Sequence, residues 1–381
     1  MLVEWQLLKK SDEQQRHIAL LQNGKLAEYY CENQTSLVGS VILGRVERVL
    51  PDIRAAFVRI GQPLNGFLPL KETDSFHRTM GSAPLMSGQE ILVQVKKDPK
   101  GGKGAFLTRD IALPGQYLLL MPQNRFIGLS KRIESEEERK RAKRIGEVIA
   151  QNRFGIIVRH AALYATLEEI REEAQSLWTH GLEIAAQASC AKAPLMMHEE
   201  PSMEDILIRD YSVRHEISVS DDERLWYQYH VSEQMSLALQ RRVDLADGGF
   251  LVIDEREALQ TIDVNSGRFV KTTGEGSLPL EENLRAVAEI ARQIRLRNLS
   301  GIILVDFIDM ETEVERQKVM EAMIAATRDD RVKTVIHGFT RLGLLEMTRK
   351  RTSDSLRDSL LTPCPACSGS GFKSREQGKE C

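Results

Sequence analysis

The sequence has little with which to cross a membrane or staple itself together. Its longest apolar runs, Leu118 to Pro122 and Gly301 to Val305, fall far short of the roughly 20 residues of a bilayer-spanning helix. The opening stretch, Met1 to Lys10, scatters acids and bases where a secretion signal would carry an apolar core. Five cysteines, three of them isolated, do not make a disulfide framework. A net charge of -3, from 52 basic and 55 acidic residues, leaves no global positive field. Any nucleic-acid partner must therefore be held by local basic patches. Repeats and long low-complexity tracts are also missing. What remains is 381 residues, 42% hydrophobic and 28% charged, enough apolar material for real cores in two or three domains. The expectation is a soluble, cytoplasmic, multi-domain chain with no membrane segment.

The first third reads as β structure. Short runs with partial alternation (Gly39 to Val49, Ala55 to Ile60, Gly66 to Leu70, Glu90 to Lys96 and Gly104 to Thr108) are separated by turn material such as Gly61-Gln62-Pro63. Five short strands at this spacing suit a small closed barrel of the oligonucleotide-binding type, with Glu72 to Ser87 as a loop insertion. Beyond Pro114 the texture changes. Lys131 to Gln151 and Leu167 to Ala188 read as helices around a strand at Phe154 to Arg159. A further helix is expected from Val231 to Arg242. The last third alternates strand (Phe250 to Asp254, Gln260 to Asn265, Gly301 to Phe307, Val332 to His337) with helix. One helix has an apolar face of Leu284, Val287, Ala291 and Ile294, and another opens on a Thr312…Glu315 capping box. That alternation indicates an α/β layer.

Within that layer, Asp263 and Asn265 stand two apart on one strand and project to the same side, while Ile262 and Val264 face the core. Asp306 ends the next apolar strand, where open α/β sheets place ligands. Two carboxylates and an amide offer hard oxygen ligands suited to magnesium or manganese, and Asp309 follows close behind. Turn formation and helix capping account for the same acids equally well, so spacing alone leaves both readings open. The Cys364-Pro365-Ala366-Cys367 turn supplies two thiolates, half of a tetrahedral zinc site. A second copy of the chain is the simplest source of the rest, and the competing readings are a redox pair or two idle surface thiols. Cys31, Cys190 and Cys381 are expected as core or tail residues. On the barrel, Phe57 and Phe67 occupy neighbouring strands, with Lys103 in a glycine-flanked hairpin. They serve either as a single-strand stacking platform or as core. The basic tract from Arg341 to Arg351 reads as a phosphate guide or a solvated face.

Together these segments resemble the ribonuclease E/G family. The blocks carrying the likeness are GFLPLKE (Gly66 to Glu72), YLLLMP (Tyr117 to Pro122), GIIVR (Gly155 to Arg159), EALQTIDVNSG (Glu257 to Gly267), IARQIRLRNLSGIILVDFIDM (Ile290 to Met310), RLGLLEMTRKR (Arg341 to Arg351) and CPACSGSG (Cys364 to Gly371). The resemblance implies a multi-domain α+β chain. Residues 1–37 and 205–245 would form a shortened ribonuclease-H-like domain, 38–110 an inserted S1 barrel and 111–204 a sensor of the RNA 5′ end. Residues 246–360 would form a DNase-I-like catalytic domain, and 361–381 a zinc link and tail.

By position, the resemblance makes Asp263 and Asp306 the magnesium ligands and Asn265 the amide that orients the scissile group. It makes Phe57, Phe67 and Lys103 the barrel's RNA contacts, and Cys364 and Cys367 the thiolates of a zinc shared between protomers. Gly128, Leu129, Arg159 and His160 fall at the 5′-monophosphate sensor. His160 departs there from the usual threonine, and a histidine donates to phosphate more strongly once protonated. The implied activity is magnesium-dependent endonucleolytic hydrolysis of single-stranded RNA, with a preference for A/U-rich stretches, leaving 5′-phosphate and 3′-hydroxyl ends in RNA processing and decay. The stretch between Asp210 and Val231 is short for the family. The chain also ends soon after the CxxC, without the small C-terminal domain associated with tetramers, so a homodimer is expected. Two rival readings stay open: a non-catalytic S1-type RNA-binding scaffold, and a metal-dependent DNA nuclease.

Overall fold

A computed structural model describes residues 4–11, 15–33, 36–70, 84–99, 102–246, 248–266, 277–328 and 330–367. Its fold is mixed α+β. The chain divides into two compact units, one formed by Met1–Glu32 with Glu216–Cys381 and the other by Asn33–His215.

The first unit begins with β1 (Trp5–Ser11), β2 (Gln15–Gln22) and β3 (Lys25–Asn33), an N-terminal meander that the sequence reading did not single out. Leu8, Ala19, Leu21, Leu26 and Tyr29 bury one face of it against Trp226 and Val231.

The second unit holds the barrel. Its strands are β4 (Val41–Leu50), β5 (Ala55–Arg59), β6 (Gly66–Pro69), β7 (Glu90–Lys97) and β8 (Phe106–Thr108). Each runs within two residues of its expected bounds. Hydrogen bonding follows β4-β5-β6-β8-β7 and closes through a β4–β7 pairing, which leaves no edge inside the ring. Ile42, Val46, Ala56, Val58, Leu68, Val93, Val95, Ala105 and Leu107 fill the interior. Of the expected loop insertion, residues 72–83 lie outside the described residues, and Leu85 buries itself in the barrel core. At Gly104 a Cβ would lie 1.8 Å from the Asn65 carbonyl oxygen, so only glycine lets this hairpin approach β6.

Beyond the barrel, β9 (Leu113–Pro114), β10 (Leu118–Met121), β11 (Ile127–Leu129) and β12 (Gly155–Val158) form a second sheet in the order β11-β12-β10-β9. It packs on α1 (Glu136–Ala150) and α2 (Leu167–Cys190) through Leu118, Leu120, Ile156, Val158, Ile145, Ile149 and Ile170. The expected helix from Lys131 starts five residues later, because Ser130 to Ile133 form a turn and Ser135 is the N-cap. Cys190 ends α2 exposed, whereas Cys31 is half-buried. The unit closes with β13 (Leu195–His198), paired to β4, and α3 (Met203–Tyr211).

The first unit then resumes with β14 (Ile217–Ser220), parallel to β1, followed by α4 (Glu223–Gln228) and α5 (Val231–Ala238). The helix expected to reach Arg242 stops at Ala238, because Arg242 already belongs to a strand. A six-stranded sheet follows: β15 (Arg242–Asp244), β16 (Phe250–Glu255), β17 (Gln260–Asn265), β18 (Gly301–Asp306), β19 (Thr334–Phe339) and β20 (Leu344–Arg349), in the order β15-β16-β17-β18-β20-β19. Between these strands lie α6 (Leu278–Leu296) and α7 (Glu313–Thr327), and α8 (Leu356–Leu360) comes after them.

Both long helices cover one face of this sheet. Val287, Ile290, Ile294, Val319 and Met323 bury Ile262, Val264, Ile303, Val305, Leu345 and Met347. Leu284, expected on the buried stripe, is 37% exposed; Leu280 takes its place. The Thr312–Glu315 capping box forms as expected. The basic tract is neither phosphate guide nor solvated face at Arg349. There β20 turns the guanidinium inward, 3% exposed, against Asp330 at 2.7 Å. The sequence reading missed β20 because its charges masked a strand whose inward positions are Leu345 and Met347.

Among the described residues, no helix is long and apolar enough to cross a membrane.

Candidate active face and nucleic-acid interface

The face of the six-stranded sheet that α6 and α7 leave open carries the candidate acids. β17 and β18 run parallel, and their register sets Asp263 directly opposite Asp306. Ile262, Val264, Ile303 and Val305 take the inward positions, so strand alternation forces both carboxylates out to solvent, where both are exposed. Asn265 donates from Nδ2 to Asp263 Oδ2 at 3.0 Å, which fixes the carboxylate's orientation. The Asp306 carboxyl is held above its usual range, first by partial burial and then by the charges of Asp263 and Asp309. Asp306 therefore feels both Asp263 and Asp309 as like charges.

Arg242 and Phe250 share this open face. Phe250 is the register partner of Asn265, and the Arg242 guanidinium lies 3.7 Å from the Phe250 ring centroid. Sequence reasoning missed both, although Phe250 alternates out of phase with the buried Leu251 and Ile253, and that phase was readable.

Among the described residues, no group of three or more His, Cys, Asp or Glu side chains converges as a metal cage. Magnesium does not require one. It binds through one or two carboxylates and keeps several waters. Two facing carboxylates in mutual repulsion, with an amide alongside, fit that donor set.

Cys364 and Cys367 flank a turn, are not disulfide-bonded and are both half-buried. They line a cavity of about 660 Å³ with Gln260, Ser300, Arg351 and Arg357. Gln260 opens β17 and Ser300 immediately precedes β18, so this cavity sits at the strand ends opposite the acids. Two thiolates supply half of a zinc site. Ser368 to Gly371, and Cys381, lie outside the described residues.

On the barrel, Phe57 and Phe67 are register partners on β5 and β6, both half-buried, with centroids 6.0 Å apart at 65°. Their strand neighbours Ala56, Val58 and Leu68 fill the core, so the two rings project outward. Lys103 is exposed in the hairpin just before β8.

At the second sheet, Gly128 and Leu129 pair with Ile157 and Val158 across β11 and β12, and Arg159 and His160 follow directly. The four residues therefore gather at one sheet end. The Arg159 guanidinium is engaged internally, donating from Nη1 to the Gly115 carbonyl and from Nη2 to Asp210 at 2.7 Å. His160 Nδ1 lies 3.1 Å from Arg214 Nη2, and Arg214 also stacks on Tyr164 at 4.8 Å. Burial, followed by the charges of Arg132 and Arg214, holds the His160 imidazole below its usual range, against a smaller opposing pull from Glu138. Arg132 and Arg214 carried no signal in the sequence reading, because partners far apart in the chain meet only through the fold.

A closed barrel with an outward aromatic pair, in one chain with an α/β sheet bearing facing carboxylates, defines the class of a modular α+β protein of the oligonucleotide-binding type. The model of the ribonuclease E/G family matches residues 112–219 and 212–352. Ribonuclease G of Haemophilus influenzae is 36% identical over 409 aligned positions, covering 96% of this chain and 83% of the relative. Ribonuclease G of Escherichia coli K12 is 34% identical over 409 positions, covering 96% and 84%. Ribonuclease E of a Nostoc species is 34% identical over 404 positions, covering 96% of this chain and 59% of the relative. The chain belongs to the ribonuclease E/G family.

Proposed function

We propose that this chain is an endoribonuclease that hydrolyses single-stranded RNA with the help of magnesium, or manganese, and leaves 5′-phosphate and 3′-hydroxyl ends. The observation that carries this reading is the facing pair Asp263–Asp306, whose repulsion calls for a cation. Kinship with proteins named as ribonucleases supports it. Asp263 and Asp306 would hold the ion, and Asn265 would keep the Asp263 carboxylate turned toward it. When bound, such an ion neutralises charge on a scissile phosphate and lowers the pKa of water. Phe57 and Phe67 would stack unpaired bases, which a duplex hides from them, with Lys103 contacting the backbone.

We read the remaining parts in the same frame. Residues 38–110 form the S1 barrel, 111–204 the 5′-end sensor and 246–360 the catalytic domain. Residues 1–37 with 205–245 form a shortened ribonuclease-H-like domain. Gly128, Leu129, Arg159 and His160 would receive a 5′-monophosphate, for which Arg159 must exchange Asp210. Cys364 and Cys367 would bind zinc jointly with a second copy, as a dimer clamp within 361–381. Replacing Cys364 by Ser is expected to remove zinc and leave monomers by sedimentation; unchanged zinc content would retire the clamp.

The deciding experiment compares matched RNA and DNA oligonucleotides, with magnesium or with EDTA. Magnesium-dependent cleavage of RNA alone is the expected result. Binding without cleavage would make the protein an RNA scaffold, and cleavage of DNA would make it a DNA nuclease.

A further inference from the structure

The outer face of the barrel carries more than Phe57 and Phe67. Ala105 and Leu107 are wholly buried, so alternation turns Phe106 of β8 outward beside Phe67. Phe67 and Phe106 are register partners, with centroids 6.0 Å apart. The row extends one strand further at each end. Arg48 on β4 faces Phe57, and Lys97 on β7 faces Phe106, its Nζ 6.0 Å from that ring's centroid. Five register partners on five strands thus read cation, ring, ring, ring, cation. Both cations are exposed and all three rings are half-buried.

Folding alone gives little reason for this order. The interior is filled without these rings, and a row of apolar groups on a solvated sheet face is the pattern of a binding surface. The outer cations suit a ligand that alternates flat apolar groups with negative charge, as a single nucleic-acid strand does.

We propose that Phe106 is a third base-stacking position, with Lys97 holding the adjoining phosphate, so that the barrel engages three unpaired bases of RNA instead of two. This rests on reading the barrel as the RNA platform. Arg48 closes the row at the other end. Tryptophan or tyrosine at position 106 preserves the position; an aliphatic residue of similar bulk does not.

The test uses the full-length chain in EDTA and a fluorescein-labelled 12-nucleotide oligoadenylate with a 5′-hydroxyl end, read by anisotropy. Phe106→Ala is expected to raise Kd by roughly 5- to 150-fold, the range for losing one stacked base. Phe106→Leu keeps apolar bulk and should bind as weakly as the alanine variant, whereas Phe106→Trp should bind within about twofold of the parent. Lys97→Gln should lower the slope of log Kd against log salt by about one. If Phe106→Leu binds like the parent while Phe57→Ala and Phe67→Ala weaken binding, the third position is wrong and the platform stands. If none of the three alanine variants alters Kd, the platform itself is wrong.

Discussion

The open face of the six-stranded sheet and the outer face of the barrel both present side chains that folding left uncovered, yet they differ in how far those side chains satisfy one another. On the barrel, Phe57, Phe67 and Phe106 touch ring to ring, so the row is content without a ligand. On the sheet, Asp263 and Asp306 face each other as like charges, with Asp309 adding to the repulsion. The first arrangement gives up little when empty. The second keeps like charges side by side, and on the proposed reading a cation would relieve them.

The sharpest way to break this contrast is to remove one acid. Asp263→Asn or Asp306→Asn should lower RNA cleavage by roughly a thousandfold or more, the several kcal/mol that a bound ion supplies. RNA affinity should stay within about twofold, and the melting temperature should hold or rise, since a repulsion has been relieved. Wild-type cleavage by either variant would overturn the assignment.

A control lies in the same sheet. Asp330 and Arg349 are a compensated pair, 6% and 3% exposed, with Arg349 donating from Nε and Nη2 to both Asp330 oxygens. Asp330→Ala strands that guanidinium in the interior, at a cost of about 3–5 kcal/mol. Urea denaturation should show a lowered midpoint, where the exposed acids show none. The rings fall between the two. Phe57→Ala or Phe67→Ala should weaken oligonucleotide binding by roughly 5- to 150-fold while leaving turnover at saturating RNA close to the parent.

The same contrast explains what the sequence disclosed. The barrel strands were legible because period-two alternation survives in short runs, and the acids because Asp263 and Asn265 keep strand phase beside Ile262 and Val264. Phe106 obeys the same phase in Gly104 to Thr108, yet a single ring between two small or aliphatic residues reads as core until register places it beside Phe67. Arg349 misled for the opposite reason. A run of basic residues looks solvated, and only the pairing of β20 with β18 and β19 turns one of them inward. Arg214 and Arg132 beside His160 were out of reach altogether, because partners remote in the chain carry no local pattern.

The end of the second sheet that carries Arg159 and His160, proposed above as the 5′-end sensor, lies between the two extremes and gives the smallest effect. Its charges are positive and partly occupied, since Arg159 already holds Asp210, and burial with Arg132 and Arg214 holds the His160 imidazole below its usual range. A 5′-monophosphate placed there adds negative charge and raises the His160 pKa, so binding takes up a proton. Affinity for 5′-monophosphate RNA should therefore rise as pH falls from 7.5 toward 6.5, by up to about threefold, the rest of the gain lying at lower pH because the free imidazole is held below its usual range. Above pH 6.5 the phosphate monoester still carries most of its second charge, its own pKa being near 6, so the gain belongs to the imidazole. Anisotropy with 5′-monophosphate and 5′-hydroxyl RNA in EDTA reads it directly. The hydroxyl form should be flat with pH, and His160→Asn should flatten the monophosphate form as well. A rise that persists in the asparagine variant would place the proton on another group and remove His160 from the sensor.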